Sequence, residues 1–149
     1  MDSIKNYLNK ELSINNVELI TNNSNNVQNS INEAKDKKVD LYLNLKTSIT
    51  SSHELYGFDI WINNYNSISY SLGNLLLNNL KNTYYEEANR GLKYDYNSLD
   101  ELNQGNIYPA ILINLGYLDN SKDQNFLDKN NKEISKSIVK TIREYFDLF

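Results

Sequence analysis

Apolar residues recur along the chain with two periods. Steps of three and four residues put Ile4, Tyr7, Leu8 and Leu12 on one stripe, so Ser3 to Ile14 is expected to form an amphipathic helix that breaks at Asn15-Asn16. Val17 to Thr21 is a short β-prone run, and the polar cluster Asn22 to Asn26 reads as a loop. Val27, Ile31 and Ala34 mark a second helix to about Lys38, and Val39 to Leu45 a strand. A polar loop, Thr47 to Glu54, precedes the strand Gly57 to Ile62, in which Phe58, Ile60 and Ile62 share a face. Ser67 is suited to cap a helix whose stripe is Ile68, Leu72, Leu75, Leu76 and Leu80. Thr83 to Asn106 keeps neither period and reads as a long irregular tract, which in a compact domain is usually functional or ordered by a partner. Ser121 to Asp128 can hold a short helical turn, and Lys132 to Phe146 a final helix with Ile134, Ile138, Ile142, Tyr145 and Phe146 facing inward.

The chain is organised around Pro109 to Asn120. Its first half is continuously apolar, too short for a membrane span and typical of a strand buried on both faces. Its second half turns at Gly116 and becomes polar. Helices alternate with strands, so the expected class is α/β, a mostly parallel sheet sandwiched between helices, as one domain over residues 1–149. Such folds present chemistry just beyond the carboxyl ends of their strands. The residue there is Asn114, whose amide carries no proton at neutral pH.

Composition narrows the function classes. The chain has 149 residues, 40% of them hydrophobic, enough to fold around a core. Its net charge is -4 and no Lys/Arg cluster reads as a basic face, which argues against a phosphate-backbone binder. It has no cysteine, so the redox compartment is open. No apolar run approaches the roughly 20 residues of a membrane helix. Met1 to Leu12 is charged and lacks an apolar signal-peptide core, and the compartment, cell wall or cytoplasm, is left open. The abundance of Asn, Tyr, Ile and Lys fits an AT-rich coding sequence, or else a prion-like or carbohydrate-binding surface.

Several local motifs carry a resemblance. Asp40 to Lys46 looks like a strand that ends in Ser-Ile-His in zinc-dependent N-acetylmuramoyl-L-alanine amidases, which cut between muramic acid and the stem peptide of peptidoglycan. Gly57-Phe58-Asp59-Ile60-Trp61 resembles that family's Gly-x-Glu-x-Tyr strand, and Asn89-Arg90-Gly91-Leu92-Lys93 its Asn-Arg-Gly-Val-Lys loop. Leu99 to Leu102 and Pro109 to Leu112 are similar to Leu-x-Val-Leu-Arg and Pro-Ala-Val-Leu, and Leu115 to Asn120 to Leu-Gly-Phe-Leu-Ser-Asn. The resemblance covers nearly the whole chain and implies the amidase fold.

The departures from the family pattern fall on its chemistry. The resemblance implies zinc held by a His, a Glu and a second His. The sequence starts after the region matching the first two, and the third falls on Lys46, whose ammonium has no lone pair. The catalytic Glu falls on Asn114 and the Arg of Leu-x-Val-Leu-Arg on Asn103. A catalytic zinc needs about three protein ligands, and a lost general base alone costs ~10²–10⁴-fold. These changes imply a pseudoenzyme with no catalytic residues, no metal ligands and no cofactor, although zinc serves the family.

His53 beside Glu54 is one imidazole with an adjacent carboxylate, which does not close a metal site. Glu86, Glu87 and Asp119 are acidic candidates for the same rim, and Lys46 is expected to pair with Asp59 or Asp119 in place of zinc. Tyr84, Tyr85, Arg90 and Tyr94 are the candidate ligand-binding residues. Tyr84, Tyr85, Tyr94 and Tyr96 form either a stacking surface for a sugar or partner, or rings partly buried beneath the long tract. Loss of the family's first strand leaves a gap or a new sheet edge. The remaining strands close ranks, another chain adds a strand, or an upstream segment supplies it; the first is the expectation, with the new edge used for a homodimer or partner pairing. Three functions follow: an inactive domain that binds peptidoglycan fragments or a protein, such as an active amidase; a working amidase of the MurNAc–L-Ala bond completed by an upstream segment or partner chain; or a structural or assembly protein.

Overall fold

The computed structural model describes residues 2–14, 16–22 and 24–147. Among the described residues it holds four α-helices and four strands, in the order α1 (Asp2–Ile14), α2 (Val27–Asp36), β1 (Tyr42–Ser48), β2 (Phe58–Ile62), α3 (Ser69–Lys81), β3 (Asn89–Tyr94), β4 (Ala110–Tyr117) and α4 (Ser121–Tyr145), with 3-10 turns before β3 and β4. The sheet runs in the order β1-β4-β2-β3. β1 pairs with β4 and β2 with β3 in parallel, while β2 meets β4 antiparallel. Two of three pairings are thus parallel, as expected, and the antiparallel one joins the two parallel pairs.

β4 is the central strand, and all eight of its residues are buried. Its alternation divides the core. Ile111, Ile113 and Leu115 join Phe58, Ile60 and Ile62 beneath the apolar stripes of α1, α3 and α4. Ala110 and Leu112 face the other way, against Ala34 of α2, Leu102, Tyr108 and Trp61. One face of the sheet therefore carries three helices. The other is covered mainly near the start of β4, and its far half is where the polar residues emerge.

Four expectations need correction. The tract after α3 contains β3, hidden in the sequence because an edge strand with one inward face needs only Leu92 and Tyr94 to be apolar. The expected final turn and helix are one helix of 25 residues, α4, with Asn120 as its cap: the Oδ1 of Asn120 accepts from the N–H groups of Lys122 and Asp123. α3 starts at Ser69, leaving Ile68 exposed. Val17 to Thr21, though β-prone, pairs with nothing among the described residues and forms no strand. The four strands form one continuous sheet with β1 at its edge, and a cleft of about 270 Å³ separates β1 from Leu19 to Asn22.

Candidate functional site

Strand register builds a polar row on the open half of the sheet. Lys46 lies opposite Asn114, and Asn114 opposite Asp59. Their chain neighbours Leu45, Ile113 and Ile60 point into the helical core, so these three project from the other face. β3 extends the row through a bulge. Phe58 pairs with Asn89 but Ile60 pairs with Leu92, two residues against three. Gly91 takes up the extra length at φ +88, with its N–H held by the Oδ1 of Asn89 at 2.9 Å. The bulge turns Arg90 and Lys93, three apart in sequence, to the same carboxylate. Lys93 Nζ is 3.3 Å and Arg90 Nε 3.9 Å from Asp59 Oδ2.

Asp59 is 2% exposed, and its Oδ1 accepts from the indole N–H of Trp61 at 2.9 Å. The Lys93 ammonium lies 5.5 Å from the Trp61 ring centre and the Arg90 guanidinium 5.9 Å from that of Tyr117. Burial, reinforced by the Asp59 charge, pushes the Tyr117 hydroxyl above its usual range. Arg90 Nε is buried with no hydrogen-bond partner among the described residues. Lys46 is exposed and, contrary to expectation, pairs with neither candidate acid. Asp59 is held by Arg90 and Lys93, and Asp119 by His53. The row thus sets one carboxylate against three cations, a locally basic site in an acidic chain.

These residues do not fit a catalytic zinc. Lys46 offers no lone pair. Asn114 Oδ1 already accepts from Ser48 Oγ at 3.0 Å and from the Gly116 N–H at 3.4 Å. Among the described residues no group of three or more His, Cys, Asp or Glu side chains is placed to hold a metal ion. Asp119 accepts from the Thr50 N–H at 3.0 Å and lies 2.7 Å from His53 Nδ1. Burial would raise its pKa, but the hydrogen bonds from Thr50 and His53 outweigh that and hold it below the ordinary carboxylate value.

The tyrosine candidates separate. Tyr84 is a core residue: its ring lies 4.3 Å from Phe58 and 4.7 Å from Phe126, and its hydroxyl donates to the Leu115 carbonyl at 2.7 Å. It cannot stack on a ligand. Tyr85 is half-buried and donates to Asp123 Oδ1 at 2.5 Å. Tyr94 turns inward from β3, touching Tyr65 and the exposed Tyr96. Of the four ligand-binding candidates only Arg90 reaches the row. Asn103 donates to the Asn97 carbonyl at 3.0 Å. Glu86 and Glu87 are exposed, and Glu87 meets Lys122 at 3.7 Å.

Two buried acids escaped the sequence reading. Asp123 Oδ2 accepts from the N–H groups of Gly57 and Tyr117 at 2.8 and 2.9 Å, clamping α4 to the start of β2 and the end of β4. Glu101, 5% exposed, accepts from Tyr42 Oη at 2.9 Å and Asn44 Nδ2 at 3.1 Å. Burial and the Glu101 hydrogen bond push the Tyr42 hydroxyl well up. The one available signal was for Asp123, an acidic residue in the first turn of a helix.

Residues 1–144 match the family model described as N-acetylmuramoyl-L-alanine amidase. No curated protein sequence matches significantly. Solved structures of N-acetylmuramoyl-L-alanine amidases share the fold. The amidase AmiC2 of Nostoc punctiforme aligns at TM-score 0.81 and 16% identity, over 97% of this chain and 81% of its own. The catalytic domain of CwlV from Bacillus (Paenibacillus) polymyxa var. colistinus aligns at 0.77 and 17%, over 99% and 83%. The CwlD amidase from Clostridioides difficile, solved in complex with the GerS lipoprotein, aligns at 0.73 and 17%, over 98% and 84%.

Proposed function

The chain belongs to the N-acetylmuramoyl-L-alanine amidase family, and from that premise we propose that it binds peptidoglycan fragments by their stem-peptide carboxylates without hydrolysing them. The observation that carries this reading is the orphaned N–H of Arg90, buried beside Lys93 in a row where two amidase positions are a lysine and an asparagine. A carboxylate is the acceptor that a guanidinium edge and two ammonium groups suit best. The rings of Trp61 and Tyr117 give its peptide an apolar wall. Nothing in the row takes a proton from water, because Asn114 is an amide and Asp59 is committed to two cations.

Titration of the protein with a soluble muramyl peptide tests the reading. Binding is expected to weaken at least tenfold on Arg90→Ala or Lys93→Ala, and to fall with salt. No stem peptide is expected to be released, with or without added zinc. Release of stem peptide by protein carrying one tightly bound zinc per chain overturns the proposal in favour of the working amidase.

A further inference from the structure

The corner where β2 and β3 end holds a cluster of tyrosines that neither the core nor the polar row absorbs. Tyr94, the last residue of β3, lies edge-on to Tyr65 at 6.4 Å and tilted to Tyr96 at 6.1 Å between ring centres. Burial, and the hydroxyls of Tyr70 and Tyr96 beside it, push the Tyr94 hydroxyl above its ordinary range. Tyr65 and Tyr96 are 63% and 72% exposed, so each keeps at least one ring face open to solvent. The backbone holds Tyr96 in place. Its N–H donates to the Asn63 carbonyl at 2.9 Å, continuing the pairing of β2 with β3. Tyr96 and Asn97 then take φ +51 and +71, a left-handed pair that a tyrosine adopts only under constraint. Side chains supply the constraint: Asp95 accepts from the N–H groups of Asn97 and Leu99, and Asn103 Nδ2 donates to the Asn97 carbonyl at 3.0 Å. Strain maintained to hold an aromatic ring out in water is grounds for a binding role.

The groups around the rings select the ligand. Residues 63–70 and 94–99 contain one charged side chain, Asp95, and its two oxygens accept from the backbone as above. With no lysine or arginine in either stretch, the corner does not suit a phosphate backbone. The open ring area is about a few hundred Å² at most, short of the roughly 800 Å² per partner of a stable protein interface. Asn66, Asn97 and Ser98 are exposed beside the rings in sequence and bring neutral donors and acceptors. Aromatic faces bordered by such groups fit a pyranose, whose C–H face lies on the ring while its hydroxyls pair with amides. We propose that this corner binds a neutral carbohydrate chain, with Tyr65 and Tyr96 as the stacking residues and Tyr94 as the support that sets their angle. Asn63 follows Asp59 by four residues along an extended strand, about 13 Å, so the corner is separate from the row and does not rest on the peptidoglycan reading.

Titration with two neutral probes, the β-linked tetramers of N-acetylglucosamine and of glucose, followed by NMR of the tyrosine rings, tests it. Millimolar sugar is expected to shift the ring signals of Tyr65, Tyr94 and Tyr96 and to leave those of Tyr84 and Tyr117 in place. Response to either tetramer supports the proposal, and a preference between them reports whether the acetamido group is read. Tyr96→Ala and Tyr65→Ala are each expected to weaken binding roughly fivefold or more, whereas Tyr96→Phe, which keeps the ring, stays within about twofold. Ile49→Ala, which trims an exposed side chain after the opposite edge strand, is expected to leave the affinity unchanged. Both alanine variants remove surface rings, and an unchanged urea midpoint shows that they remain folded. Silence of the three rings overturns the proposal, as do alanine variants that bind as well as the parent, or shifts at Trp61 and Tyr117 instead. A concentration-dependent dimer that Tyr96→Ala abolishes also overturns it, since a second copy then covers the corner.

Discussion

Replacing Asp59 by asparagine separates the two roles assigned to the polar row. The amide still accepts from the Trp61 indole, so the change isolates the negative charge. In the native protein that charge faces Lys93 at 3.3 Å and Arg90 at 3.9 Å. At an effective dielectric constant of about 20, Coulomb's law gives roughly 5 and 4 kcal/mol for these pairs before desolvation is subtracted. Removing one partner of a fully buried pair costs about 3–5 kcal/mol. Arg90 and Lys93 are 30% and 31% exposed, so water screens them and lowers the expected loss to roughly 2–3 kcal/mol. In a chain of this size that is a fall in Tm of about 5–10 °C. Urea denaturation at pH 7 followed by circular dichroism measures it, and Lys93→Met with the double variant completes a cycle whose coupling is expected to be about 1 kcal/mol or more. Affinity for a muramyl peptide should move the other way, rising several-fold as a competing carboxylate disappears. A loss below about 0.5 kcal/mol, or additive single variants, would refute the claim that Asp59 is held by these cations.

Gly57→Ala is expected to lose roughly 3 kcal/mol or more, because φ is +93 and the new Cβ would lie 2.2 Å from the Ala88 carbonyl oxygen; a urea midpoint checks it. Tyr84→Phe strips a buried donor from the Leu115 carbonyl and should cost about 1–2 kcal/mol in the same assay. Asp119 has a folded-state pKa below its ordinary value, so it adds stability above that ordinary value and loses it as pH falls through the lowered one. Urea midpoints measured from about pH 6 down to pH 2 should therefore drop less steeply on the acid side for Asp119→Asn than for the parent protein.

Legibility in the sequence followed burial. β4 was plain because a strand covered on both faces must be apolar throughout, and β2 because one covered face imposes alternation. β3 carries Arg90, Gly91 and Lys93 in six residues, and a bulge erases the period that would have marked it. The first half of α4 was underestimated because only Phe126 and Leu127 reach the core there. Val17 to Thr21 shows the converse: propensity alone does not make a strand when no neighbour supplies the other half of the hydrogen bonds. At the site, Lys46, Asn114 and Arg90 could be singled out from local motifs, and strand register brings them together with Asp59. The pairings of Asp59 with Arg90 and Lys93, and of Asp119 with His53, span 31 to 66 residues and depend on topology that a local reading does not contain.

The position of β4 bears on how the chain reaches its native state. β1 and β2 are made early and never pair with each other, because the strand that joins them arrives last. During synthesis both wait with unsatisfied edges until Ala110 to Tyr117 emerges and wedges between them. Closing contacts so distant along the chain is slow, and the waiting intermediate is the species most exposed to misassembly. Refolding yield should therefore fall with protein concentration, and a holdase chaperone should restore it.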